Sequence, residues 1–217
     1  MKTEFELTKQ DIEKYLEKLN EKMKEKEIQG ALLLTGGAVM TTVYDAREGT
    51  KDIDALFQPS SKIRECINQV AAENKLPEDW LNDAVKGYLN PRMQNAKSLY
   101  KDYSNLSVFT LDAEPLLAMK LVSGRMGTMD LDDSISLMKV LDIKNIEQCN
   151  EIVHKYMEPV YITHGTKIFT EIAYESYAVQ KVAEKEKKPI SQQIKSAKEK
   201  ADNSPQKEQG KNKEKDR

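Results

Sequence analysis

A chain of 217 residues, 39% hydrophobic and 32% charged, can bury one sizeable core and is too polar to reside in a bilayer. No apolar run approaches the length of a membrane span, and the start, MKTEFELTKQ, lacks the apolar core of a signal peptide, so a cytoplasmic protein without a membrane partner is expected. Two cysteines, Cys66 and Cys149, are too few for a disulfide framework or a zinc cluster and read as small buried apolar residues.

Thr8 is a good N-cap for a helix with Ile12, Tyr15, Leu16, Leu19, Met23 and Ile28 on one stripe, a structural brace. The chain is organised around the next stretch, ALLLTGGAVMTTVYDAREGTKDIDALF. Ala31 to Leu34 is an apolar run of strand length. Gly36-Gly37 follows, permitting unusual backbone and close approach of a ligand. Ala38 to Ala46 reads as a short helix whose first amides point back over the turn. A second strand begins near Lys51 and carries Asp52-Ile53-Asp54. Alternate side chains of a strand share a face, so Asp52 and Asp54 project together. Paired carboxylates repel unless a cation lies between them, and oxygen-only ligands suit magnesium held jointly with a substrate phosphate. A solvated strand end and an ordinary tight turn are the alternative readings. A Walker A loop is excluded, because no Gly-Lys-Ser/Thr follows the glycines.

Further on, Ser60 or Ser61 can cap a helix reaching about Asn74, with Ile63, Ile67 and Val70 inward. Leu76 to Asp83 is expected to start another helix, with Pro77 in its first turn and Trp80 as a core anchor. Segment 90–105 reads as a partly exposed connection. Leu106 to Leu111 is a third strand, ending at Asp112, which suits a helix N-cap.

The helix from about Glu114 to Arg125 is largely apolar, and Lys120 within it must snorkel or meet anions. Asp130 and Asp133 share a face in the first turn of a following helix, where the helix dipole favours negative charge. Two more helices are expected over 145–157 and 160–183. They bring Tyr156, Tyr161, Tyr174 and Tyr177 into one region, as core packing or as a flank for a nucleobase. His154 and His164 read as structural or exposed.

Gly36-Gly37, Arg47, Thr50 and Asp52-Ile53-Asp54 together resemble the first motif of the DNA polymerase beta-type nucleotidyltransferases. The nearest branch is that related to AbiE-type and MenAT-type toxins. Lys120-Leu121-Val122-Ser123-Gly124-Arg125 resembles the second, lysine-centred motif. Asp130, Asp133 and Leu137 resemble the third, with Ser134 in place of an aliphatic residue. The run Trp80-Leu81-Asn82-Asp83 also recurs there, with no role attached.

The resemblance implies an α/β (α+β) fold, a small mixed sheet flanked by helices, with a helical C-terminal part. It implies metal-dependent nucleotidyl transfer, with Asp52, Asp54, Lys120 and Asp133 catalytic and Asp133 a further ligand or the base. Asp52 and Asp54 would hold Mg2+, or Mn2+ in its place, and Asp112 stands where many of these enzymes carry a third metal-binding carboxylate. Gly36, Gly37, Thr50, Lys120 and Arg125 would contact the nucleoside triphosphate. It also implies RNA or tRNA as acceptor, a toxin-type or phage-defence role, and a cognate antitoxin partner. A glycosyltransferase using Asp52-x-Asp54 with a sugar nucleotide, or a non-catalytic interaction protein, are the alternatives.

A catalytic domain over 1–142, a helical part over 143–183 and a disordered basic tail over 184–217 are expected. Residues 181–217 hold twelve Lys/Arg against seven Asp/Glu, a net of +5 on a chain whose total is −2.

Overall fold

The computed structural model describes residues 5–202, with side chains to Glu184. Among these, no helix is long and apolar enough to cross a membrane. The chain divides after Tyr177 into two units. All packing and side-chain chemistry described below lies in the first.

The N-terminal helix α1 (Lys9–Glu25) starts where expected. Thr8 and Asp11 form a reciprocal capping box, and Ile12, Leu16, Leu19 and Met23 are buried. The apolar run after it becomes β2 (Gly30–Leu34), preceded in the chain by β1 (Leu7–Thr8). The acid-bearing strand is β4 (Ile53–Gln58), whose side chains alternate between buried and half-buried, with β3 (Gly49–Thr50) just before it. β7 (Leu106–Leu111) is the third strand foreseen. β5 (Leu81–Asn82) and β6 (Lys97–Asp102) complete a five-stranded sheet of order β5-β4-β2-β7-β6.

The sheet is mixed. β2 runs antiparallel to β4 but parallel to β7, so its apolar residues are sandwiched between two strands that are themselves half-buried. Helices α1, α2 (Gly36–Thr42) and α3 (Ser60–Asn74) supply the packing around the β2–β4 half. α5 (Ala113–Ser123) packs on α6 (Asp130–Val140) and α7 (Ile146–Tyr156). With α4 (Pro91–Asn95) and α8 (His164–Asp202), the α-helices among the described residues number eight. The fold is α/β with a helical C-terminal part, as the sequence implied. Cys66 and Cys149 are buried free thiols.

Two local expectations differ from the structure. Leu76 to Asp83 does not begin a helix: Trp80 closes a turn, and Leu81–Asn82 pairs parallel to β4 with Asp54 opposite Asn82. A two-residue strand has no periodicity of its own, so pairing with β4 overrides the helical appearance of the run. Segment 90–105 is not a bare connection but contains α4 and β6. Five of the six β6 side chains are exposed, so the alternation that marks a strand is missing from its sequence. At the C-terminal end, backbone helix continues to Asp202, into the stretch expected to be a disordered tail. Lys, Glu, Gln and Ala, which fill it, are good helix formers. Residues 203–217 of that stretch lie outside the described residues.

Candidate functional site

The site begins where β2 ends. The Thr35 amide donates to the Asp54 carbonyl at 2.9 Å, and the Thr35 hydroxyl reaches the same oxygen at 3.3 Å. The turn leading into α2 is thus tied to the acid-bearing strand. Gly36 has φ +57, a region that favours glycine, and a Cβ there would lie 2.9 Å from Asp54 Oδ2. A Cβ on Gly37 would lie 2.4 Å from Thr50 Oγ1 and 2.9 Å from Arg47 Nη1. The space left by the two glycines is therefore shared with Asp54, Thr50 and Arg47, the other members of the motif.

Asp52 and Asp54 flank the buried Ile53 and are both half-buried. Burial pushes the Asp52 carboxyl up, and the amide of Asn82 partly opposes this. Burial also pushes Asp54 up, the neighbouring charge of Asp52 adds to it, and Asn82 and Lys120 pull the other way. Such a pair gains from a cation between its members. Among the described residues no three His, Cys, Asp or Glu side chains form a metal cage. An ion held by Asp52 and Asp54 would complete its coordination with water and phosphate oxygens, a donor set that fits magnesium.

Lys120 does not snorkel. It is 8% exposed, and its Nζ lies 2.9 Å from Asp130 Oδ1 and 2.8 Å from Asp133 Oδ2. Asp133, 1% exposed, accepts from Arg47 through both guanidinium nitrogens that face it, Nε at 2.7 Å. A bidentate guanidinium and an ammonium on one carboxylate form a buried network joining α5, α6 and the loop before β3. Burial alone would raise the Asp130 carboxyl. Lys120, with Thr128 and Arg125 behind it, outweighs that and holds it below the usual carboxylate range. Arg125 Nε is 3.6 Å from Asp130, and its side chain is 77% exposed.

Two cavities meet at this network. A charged chamber of about 530 Å3 is lined by Gly36, Gly37, Arg47, Thr50, Lys51, Asp52, Asp54, Lys120, Arg125 and Asp130, together with Glu6 and Met129. A second chamber of about 430 Å3 is walled mainly by Val85, Tyr88, Leu116, Met119, Val122, Met157, Val160 and Tyr161. Gly36, Asp54, Lys120, Arg125 and Asp130 line both.

The structure thus gathers Asp52, Asp54, Gly36, Gly37, Thr50, Lys120 and Arg125 around the charged chamber. Asp133 lines neither chamber and reaches them only through Lys120 and Arg47. Asp112 sits at the N-cap position of α5 without a side-chain cap bond. It accepts from the Ser98 hydroxyl at 2.8 Å and lines neither chamber. Of the four clustered tyrosines, Tyr156, Tyr174 and Tyr177 anchor to Glu114 and to the Lys144 and Ile143 carbonyls. Tyr161 alone faces a chamber, beside Tyr88 at 5.1 Å between ring centroids.

Residues 10–183 match the family described as nucleotidyltransferase of unknown function (DUF6036). The chain belongs to that family. No curated protein and no solved structure matches it. Membership of a nucleotidyltransferase family implies a nucleotide substrate. Two neighbours of the site went unassigned in the sequence. Asn82 was hidden in a run read as helix, and Tyr88 in a stretch with no periodicity. Arg47 was visible as a motif member, but its partner lies 86 residues away.

Proposed function

We propose that the chain transfers a nucleotidyl group from a metal-bound nucleoside triphosphate to an acceptor hydroxyl, releasing pyrophosphate. The observation that carries this is the wall common to the two chambers, formed by Gly36, Asp54, Lys120, Arg125 and Asp130. A nucleoside triphosphate divides in the same way: a polyanionic chain on one side, a flat and largely apolar base on the other, joined through sugar and α-phosphate. The triphosphate fits the charged chamber and the base the apolar one, which brings the α-phosphate to Asp54 and Lys120.

Asp52 and Asp54 would hold magnesium, or manganese, which when bound neutralises phosphate charge and lowers the pKa of the attacking hydroxyl. Gly36, Gly37 and Thr50 line the space offered to the phosphates. Lys120 spends two of its three N–H groups on Asp130 and Asp133, leaving one for a phosphate oxygen. Asp133 acts as a positioning residue, fixing Lys120 and Arg47 at the chamber wall. Arg125, exposed on its flank, is free to swing toward the leaving pyrophosphate. Positioning and charge neutralisation supply most of the rate in such chemistry.

RNA, tRNA in particular, is the proposed acceptor, in a toxin-type or phage-defence protein of the cytoplasm with a cognate antitoxin. The motif resemblance to the AbiE-type and MenAT-type branch supports this. So does the basic stretch from residue 181 onward, which would attract a phosphate backbone. The test is incubation of the full chain with magnesium, each labelled triphosphate and total RNA. Label in an RNA band is expected. No label in RNA or protein with any triphosphate overturns the proposal, and transfer from a sugar nucleotide instead selects glycosyl chemistry.

A further inference from the structure

The sheet brings one more side chain to the acid pair. β5 is only Leu81–Asn82, yet its parallel register sets Asn82 directly opposite Asp54. The Asn82 amide is oriented by bonds of opposite sense, two of which fix its direction, with a longer one from its NH2 group to the Asp79 carbonyl at 3.5 Å. Its Oδ1 accepts from the Ala84 backbone N–H at 3.0 Å, which turns its NH2 group toward the acids. That NH2 donates to Asp52 Oδ2 at 3.2 Å. An amide cannot be flipped here without losing both bonds, since the oxygen would face a carboxylate and the nitrogen a backbone donor.

We propose that Asn82 is a positioning residue for the acid pair, holding the Asp52 carboxylate in the orientation that binds a divalent cation. This rests on the reading of Asp52 and Asp54 as metal ligands. With Oδ1 committed to Ala84, Asn82 is not itself a ligand. It occupies one Oδ2 lone pair of Asp52 and prevents the carboxylate from rotating away from Asp54. A half-buried carboxylate with one fixed donor binds a cation without first losing rotamer freedom. Partners that orient a ligand in this way typically contribute tenfold or more to metal affinity. The strand pairing is what makes this possible. Trp80 accepts from the Ile53 amide at 2.8 Å, so the residue between the two acids is locked to the strand that carries Asn82.

The test is a titration of the full chain with MnCl2, following free Mn2+ by its paramagnetic resonance signal. It uses wild type, Asp54→Asn, Asn82→Ser and Asn82→Leu. Serine can accept from the N–H two residues on, as Asn82 does from Ala84, but is too short to reach Asp52. Asn82→Ser therefore separates the turn from the carboxylate contact, and its melting temperature reports the turn. Saturable binding by wild type, its loss in Asp54→Asn, and a tenfold to hundredfold weaker Kd in both Asn82 variants are expected. Should Asn82→Leu fail to fold, Asn82→Ser alone decides. Wild-type affinity in Asn82→Ser, with Asp54→Asn still defective, overturns the role of Asn82 and leaves the metal pair standing. No saturable Mn2+ binding by wild type overturns both.

Discussion

Lys120 and Asp133 meet at 2.8 Å between helices α5 and α6, both almost withdrawn from water. The contact puts a lysine ammonium at the wall of two chambers while its charge is balanced from behind. Removing either partner strands buried charge, so the pair joins stability to function.

Lys120→Met should therefore do more than weaken phosphate binding. Asp133 keeps Arg47, but Asp130 loses its closest cation, and breaking a buried pair costs about 3 kcal/mol or more. Urea denaturation at pH 7 should show that loss. Part of it should return near pH 5, because an Asp130 without Lys120 takes up a proton more readily. Nucleotidyl transfer should fall by about a hundredfold or more. Wild-type stability would mean that the ion pair contributes nothing.

Asp54→Asn should abolish metal-dependent transfer while raising the melting temperature slightly at pH 7. Its carboxyl is pushed up by burial and by Asp52, so in the folded protein the ionised form carries a penalty. That penalty is full above the raised pKa and disappears below the ordinary carboxyl value of about 4. The stabilisation should accordingly shrink as pH falls from 7 to 4. Asp130 carries the opposite sign. Its depressed pKa gives stability that is fully present above the ordinary carboxyl value and lost as pH falls through the lower folded one.

Gly37→Ala places a methyl 2.4 Å from Thr50 Oγ1, in a place where Arg47 also crowds. Overpacking of this kind costs about 1–3 kcal/mol. Thermal melts should show a clear loss, with Gly87→Ala as the control, because a Cβ there meets nothing within 4 Å.

Tyr88→Ala and Tyr161→Ala open the apolar chamber at its rim. An aromatic contact to a base contributes about 0.5–1.5 kcal/mol, so each should raise KM for the triphosphate roughly threefold to tenfold. kcat should change little. An unchanged KM in both would place the base elsewhere.

A chain ending at Ala183 should melt within a degree or two of the full chain, by differential scanning calorimetry. The first unit, which ends at Tyr177, contains every core residue named above.

The parts of the fold visible in the sequence are those with a local signature. α1 showed its cap and stripe, β2 its apolar run, and the acid pair its spacing about Ile53 at the start of β4. Asn82 was not visible because its role depends on a parallel pairing across 28 residues of chain. Asp133 stood out in the sequence as a candidate acid of the site, but its position facing away from the chambers was not legible. That placement is set by Arg47, which approaches from a different part of the chain. Lys120 is the instructive case: an isolated lysine among leucines had either to snorkel or to meet anions, and the fold decides for anions, Asp130 and Asp133.

Trp80 is the chain's single tryptophan, fully buried, edge-on to Tyr15 and bonded through its indole N–H to the Ile67 carbonyl. Its own carbonyl holds Ile53, between the two acids, and Asn82 is two residues away. The protein therefore carries a built-in fluorophore wired to the acid pair. Its emission offers a label-free signal for anything that shifts the β4–β5 pairing, cation or nucleotide, on the timescale of a stopped-flow mixing experiment.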